Sequence, residues 1–214
     1  MSAPGLQKPG SPEPITMTKL LVVEGKSPFQ FFKACLRELG LLGSIEIRDA
    51  GGITEFAPYL QVLKLTSGFS NVRSVAVVRD AEVDANSAFQ SVASALSAAG
   101  LPVPTAPRSR AQGDGVAVVV YILPDCSRPG MLETLCWEAL RSHPGTSCVE
   151  SYLDCLAGKG FLAPTDLKTA KVRVNSFLAF QKQPEWLLGQ AAHAGVWDWG
   201  NPVFADLLAF LRSV

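Results

Sequence analysis

The chain has 214 residues, 48% of them hydrophobic, and balances 19 basic against 19 acidic side chains. That length allows one α/β domain with a sizeable core, or one domain with a small appendage. The zero formal charge excludes a global attraction to nucleic acid or anionic membranes, and no apolar run approaches the ~20 residues that a membrane span needs.

The opening stretch MSAPGLQKPGSPEPIT lacks the basic and apolar regions of a signal peptide and is rich in Pro, Gly and Ser, so residues 1–16 are expected to form a disordered tail. Met17 directly precedes the first strand and is an alternative start. The cysteines, Cys35, Cys126, Cys136, Cys148 and Cys155, form no C-x-x-C pair and have no ligand-like spacing to His143 or His193. This argues against zinc and for a reduced, cytoplasmic protein. Cys35 and Cys136 read as small buried hydrophobes within helical patterns.

Over residues 17–142, short apolar runs alternate with amphipathic stretches of helical spacing, the pattern of βαβ units and a parallel sheet. Leu20–Val23 is the first strand. The helix after it carries Phe29, Phe32, Leu36 and Leu39 and stops at Gly40. Ile45–Arg48 is a second strand, and Ile53 to Leu65 a helix entered through Thr54 or a residue nearby. Ser74–Val78 is a third strand, followed by a helix from Ser87 to Ala99 that Asn86 caps and Gly100 ends. Leu101–Gly115, punctuated by Pro and Arg, is expected to be a mobile loop. VAVVVYILP is the most continuously apolar strand and is therefore expected near the centre; a helix from Met131 to Arg141 follows. Residues 143–214, broken by Pro144, Pro164, Pro184 and Pro202, read as a helical extension packed on the core. Its docking hydrophobes are Trp197, Trp199, Phe204, Leu208 and Leu211. The expected fold is thus a three-layer α/β arrangement, with a parallel sheet of about four strands and a helical C-terminal extension.

Chemistry in parallel α/β sheets gathers at the carboxyl ends of the strands. Glu24, Asp49, Asp80 with Glu82, and Asp125 stand there. If the strand continues extended, Asp80 and Glu82 share a face, and two close carboxylates repel unless a cation neutralises them. An oxygen-only donor set suits Mg²⁺ or Mn²⁺. Acidic residues at strand ends also cap the following helix and favour its positive end, which is the expected role of Asp84 with Asn86.

LLVVEGKSPFQFF, followed some fifty residues later by SVAVVRDAE, resembles the Toprim domain of topoisomerases, bacterial primases and OLD-type nucleases. VEGK…FF, DAGG, VVRDAE, AGLPVP, ILPD…PGMLETLC and WDW together are similar to DUF3226, a bacterial and archaeal family of small Toprim-like proteins. The resemblance implies a Toprim-like fold in which Glu24, Asp80 and Glu82 bind Mg²⁺ or Mn²⁺. It further implies either that Glu133 anchors a second ion or that Glu24 serves as a general base, and that Lys171 stabilises transition-state charge. Lys26 and Arg79 flank the cluster as candidate phosphate contacts, as do Arg108 and Arg110 on the loop; Arg79 fits a structural role beside Glu24 or Asp49 equally well. Two departures stand out. Asp-x-Glu replaces the usual Asp-x-Asp, and Ser27-Pro28-Phe29 lacks the acid that OLD-like proteins carry. The implied function is a metal-dependent phosphodiesterase, nuclease or phosphoryl-transfer protein acting on DNA or RNA. No Walker P-loop is present, so any ATPase function belongs to a partner protein. The alternatives are a non-catalytic interaction module on the same scaffold and a receiver-like phosphoacceptor, although VEGK offers one carboxylate where a receiver needs a pair.

Overall fold

Strands with no polar face are stable only inside a sheet covered on both sides. β3 (Ser74–Asp80) and β5 (Val116–Leu123) are such strands, buried along nearly their whole length and paired in parallel. β1 (Lys19–Val23) flanks β3 in parallel on its other side, and β2 (Glu46–Asp49) flanks β1. The computed structural model describes residues 13–161 and 166–214 and orders the sheet β2-β1-β3-β5-β4. β4 (Arg110–Gly113) is antiparallel to β5 and falls inside the stretch expected to be a mobile loop. It is too short and polar to register as a strand, and its order comes from pairing with the apolar β5. The turn between them, Asp114-Gly115, has positive φ at both residues. An Asp-Gly pair suits such a two-residue hairpin turn.

One face of the sheet is covered by α2 (Ile53–Leu65) and α3 (Ala85–Ala98), whose Phe56, Leu60, Phe89 and Val92 share a core with Val22, Val75, Val77 and Val120. The other face is covered by α1 (Lys26–Glu38), α4 (Leu132–Ala139), α5 (Thr146–Gly158), α6 (Asp166–Leu178), α7 (Leu188–His193) and α8 (Ala205–Ser213). Phe31, Leu135, Phe177, Trp197 and Phe210 meet Leu21, Val78 and Tyr121 there. The fold is therefore α/β, with a five-stranded, mostly parallel sheet between two helical layers.

Helix entries differ in detail from expectation. Glu55 accepts a hydrogen bond from the Gly52 amide at 3.0 Å, so the α2 entry is built by Gly52 and Glu55 rather than Thr54. Asp84 accepts from the Ser87 amide at 2.6 Å and caps α3, which leaves Asn86 inside the first turn. Cys35 and Cys136 are fully buried, and no described helix is long and apolar enough to cross a membrane.

Residues 13–16, expected within the disordered tail, lie along β2. Arg48 donates to the Glu13 and Pro14 carbonyls at 2.8 Å, Glu46 accepts from the Thr16 amide and hydroxyl at 2.8 Å, and Ile15 is buried. Side chains of the edge strand thus recruit a cover for its open side. The rest of that tail, and the break at Pro164, lie outside the described residues.

At the other end of the chain, Trp197, Phe204, Leu208 and Leu211 are buried and Trp199 packs against the same core. Trp197 Nε1 and Asn201 Nδ2 donate to the Cys136 and Ala139 carbonyls at 3.2 and 3.0 Å, which satisfies the C-terminal end of α4. α7 approaches α1 so closely that a Cβ on Gly189 would lie 2.4 Å from Cβ of Gln30 and 2.9 Å from the Ser27 carbonyl oxygen. Gly189→Ala should therefore cost about 1–3 kcal/mol through forced separation of the two helices. Urea unfolding would report this as a lower midpoint, and an unchanged midpoint would contradict the close approach.

Candidate functional site

The chain leaves β1 at Glu24 and turns at Gly25, whose φ of 96° is a conformation that side chains rarely adopt. Asp49, at the end of β2, fixes the turn: its Oδ1 accepts from the Gly25 and Gly51 amides, both at 2.8 Å. This positioning role was invisible in sequence, where Asp49 was one strand-end acid among several. Glu24 Oε2 lies 3.4 Å from Nε of Arg79. Arg79 is 7% exposed, donates to Ser91 Oγ at 2.8 Å and sits 5.7 Å over the Phe56 ring. Of the two roles expected for Arg79, its geometry matches the structural one, because the guanidinium is already paired beneath the surface.

β3 ends at Asp80, whose Oδ1 accepts from the Leu132 amide at 2.9 Å in the first turn of α4. Donor and helix polarity favour the anion there, but burial opposes it more strongly. Burial, followed by the charge of Glu133 and then that of Glu24, pushes the Asp80 carboxyl up to about 7, despite the Leu132 hydrogen bond and nearby Lys171. Glu24 is raised as well, first by burial against the pull of Arg79, with Glu82 adding repulsion. Asp80 therefore senses the charges of Glu133, Glu24 and Lys171, and Glu24 those of Arg79, Glu82 and Lys171. Glu133 comes from the first turn of α4, and Lys171 is exposed on α6.

Glu82 departs from expectation. The extended segment stops at Asp80, and Glu82 takes a positive φ of 51° while its backbone pairs with Gly130 through hydrogen bonds of 2.7 and 2.8 Å. Alternation along a strand therefore does not put Asp80 and Glu82 on one face: Glu82 is exposed, and the carboxylate that weighs most on Asp80 is Glu133. Arg108 and Arg110 are also engaged elsewhere. Arg108 pairs with Asp206 of α8 at 2.9 Å, and Arg110 donates to the Ser213 carbonyl at 3.2 Å, so both fasten the β4 hairpin to the last helix. Asp125 closes its own turn by accepting from the Ser127 amide and hydroxyl and from Arg128. Lys26 is exposed on the first residue of α1, at that helix's positive end.

A divalent cation fits the donor chemistry of this edge better than its present arrangement. All donors are oxygens, and a crevice of about 10 Å³, roughly the space of one water or ion, lies between Glu24, Arg79 and Asp80. Yet among the described residues no three His, Cys, Asp or Glu side chains converge as a group that could hold a metal. Glu24 faces Arg79 instead.

Fold and site define an α/β protein whose mostly parallel sheet gathers acidic side chains around one half-buried aspartate at its carboxyl edge. The chain belongs to the family described as "Protein of unknown function (DUF3226)", whose sequence profile matches residues 18–214. Its backbone is similar to the C-terminal region of the OLD protein of Xanthomonas campestris pv. campestris in two solved structures, one phased with mercury (TM-score 0.47) and one with iodine (TM-score 0.49). In both, the two sequences are 14% identical over 92% of this chain and 95% of that one. No curated protein matches the chain in sequence.

The folded chain retains the Asp80 proton up to about pH 7, whereas an unperturbed aspartate releases it near 3.8. At Asp80 the native state thus binds more protons between those values, and the contribution of this group to stability falls as pH rises across that window. In EDTA, Asp80→Asn should stabilise the protein at pH 8 by on the order of 2 kcal/mol and leave it unchanged near pH 3.5. Urea titrations at the two pH values measure this difference, and an equal effect at both would refute the assigned ionisation.

Proposed function

We propose that the chain is a Toprim-like, Mg²⁺- or Mn²⁺-dependent protein that acts on phosphodiester bonds of nucleic acid. The observation that carries this reading is Asp80, a half-buried carboxyl whose negative charge is opposed by Glu133 and Glu24 and which a cation would stabilise. The sequence resemblance to Toprim domains through VVEGK and VVRDAE supports it independently.

Asp80, Glu24 and Glu133 would hold the ion, with Glu82 on the exposed rim. When bound, the ion supplies Lewis acidity toward a phosphoryl oxygen and a more acidic water. The Leu132 amide keeps the Asp80 carboxylate oriented. Glu24 has to leave Arg79 to reach an ion, and its raised proton affinity suits it to accept a proton from an attacking water. Lys171, whose charge is felt by both acids, would stabilise negative charge that develops there, and Lys26 adds a cation at the α1 end of the same edge.

A second reading, a non-catalytic interaction module, is favoured by the Glu24–Arg79 pair and by the turn that carries Glu82 out of register. Thermal melts and plasmid nicking separate the two. The catalytic reading expects millimolar Mg²⁺ or Mn²⁺ to raise the Tm by about 3–6 °C. It also expects Glu24→Gln to slow nicking at least ~100-fold. No shift with either metal would overturn the metal site, whereas a shift without cleavage of DNA or RNA would support the module.

A further inference from the structure

Arg79 and Asp80 are consecutive residues that leave β3 toward opposite faces of the sheet, and Glu24 meets both. Its carboxylate pairs with Arg79, its charge acts on Asp80, and the three residues line one crevice of about 10 Å³. That volume has room for about one ion. The guanidinium is fixed from its far side. Nη1 donates to Ser91 Oγ at 2.8 Å, Cζ lies 5.7 Å from the centre of the Phe56 ring, and the residue is 7% exposed. Arg79 keeps these two contacts whichever way Glu24 points. Its hold on Glu24 is looser, with Nε 3.4 Å from Oε2. Even so, Arg79 is the charge that acts most strongly on Glu24, ahead of Glu82 and Lys171. An ion held by both Asp80 and Glu24 would therefore draw on a carboxylate that already serves a fixed cation.

We propose that Arg79 is a resident competitor for the cation of this edge, a positioning residue that holds Glu24 until an ion takes it and so sets how tightly a divalent ion binds. This rests on the metal site proposed above. Moving Glu24 to an ion leaves a nearly buried guanidinium less compensated, which costs free energy. It also brings two cations close together in a partly buried crevice, where their repulsion is poorly screened. Both effects weaken the ion, so loss of the Arg79 charge strengthens it. An arginine with a purely structural role would change folding stability and leave ion affinity as it was.

Calorimetric titration of the full-length chain with Mn²⁺ after EDTA treatment and dialysis tests this. Arg79→Met keeps an apolar stem over Phe56 and removes the charge; it should tighten Mn²⁺ binding at least ~10-fold. Arg79→Lys restores a cation and should return to within ~3-fold of wild type. Lys171→Met removes an exposed cation that both acids also feel, and it too should stay within ~3-fold of wild type. Equal affinity in wild type and Arg79→Met would overturn the proposal and leave the metal site standing, as would an equal gain in Lys171→Met. No Mn²⁺ bound by any of the four proteins would overturn the metal site and the competition together. Should Arg79→Met fail to fold, nitrogen-edited NMR of the wild-type chain decides the matter. Saturating Mg²⁺ should shift the Arg79 Nε–H resonance, assigned by its loss in Arg79→Lys, and an unmoved resonance would contradict the competition.

Discussion

The parallel pairing of β3 with β1 on one side and β5 on the other is the constraint on which the site depends. Val78 lies beside Val23, and Asp80 beside Leu123, so the chain leaves three neighbouring strands at one edge within a few residues. Because side chains alternate, Arg79 is directed to the α2/α3 face, where Ser91 and Phe56 receive it, and Asp80 to the face of α4. A one-residue slip would exchange them, burying an acid among Phe56 and Val92 and sending a cation toward the α4 helix end. Hydrophobic pairing deep in the sheet thereby sets the electrostatics at its rim.

Those electrostatics leave Asp80 poorly compensated. Its hydrogen bond from Leu132 and the charge of Lys171 do not offset burial next to Glu133 and Glu24. Glu24 is shared between this acidic set and the buried Arg79, and the turn that aims it is tied down by Asp49 through two backbone amides. The turn is fastened by those two bonds, and Glu24 is the side chain that stands between Arg79 and the acidic set.

Much of this was legible in the sequence where burial dictated it. LLVV, SVAVV and VAVVVYIL became strands because only a covered sheet accommodates such runs, and the tail aromatics Trp197 and Phe204 became core for the same reason. β4 was not legible from hydrophobicity, since its four residues, RAQG, draw their order from β5. The site was legible in part. Glu24 and Asp80 announce themselves at strand ends, whereas the closeness of Glu133 depends on α4 meeting β3 across fifty-two positions, a contact that no local pattern records. The shared face expected for Asp80 and Glu82 assumed a chain that stays extended, whereas the Glu82 backbone turns to pair with Gly130, which is distant in sequence. Arg108 and Arg110 were read as candidate phosphate contacts, and their partners, Asp206 and the Ser213 carbonyl, come from the far end of the chain, where no local pattern records them.

The central claim, that the carboxyl edge is built to hold a divalent cation, is tested most directly by anomalous diffraction from crystals soaked in Mn²⁺. The account predicts a single strong peak within ligand distance of Asp80 and Glu24, with Glu24 turned away from Arg79. A crystal in which the Glu24–Arg79 pair persists and no anomalous density appears beside Asp80 would contradict it.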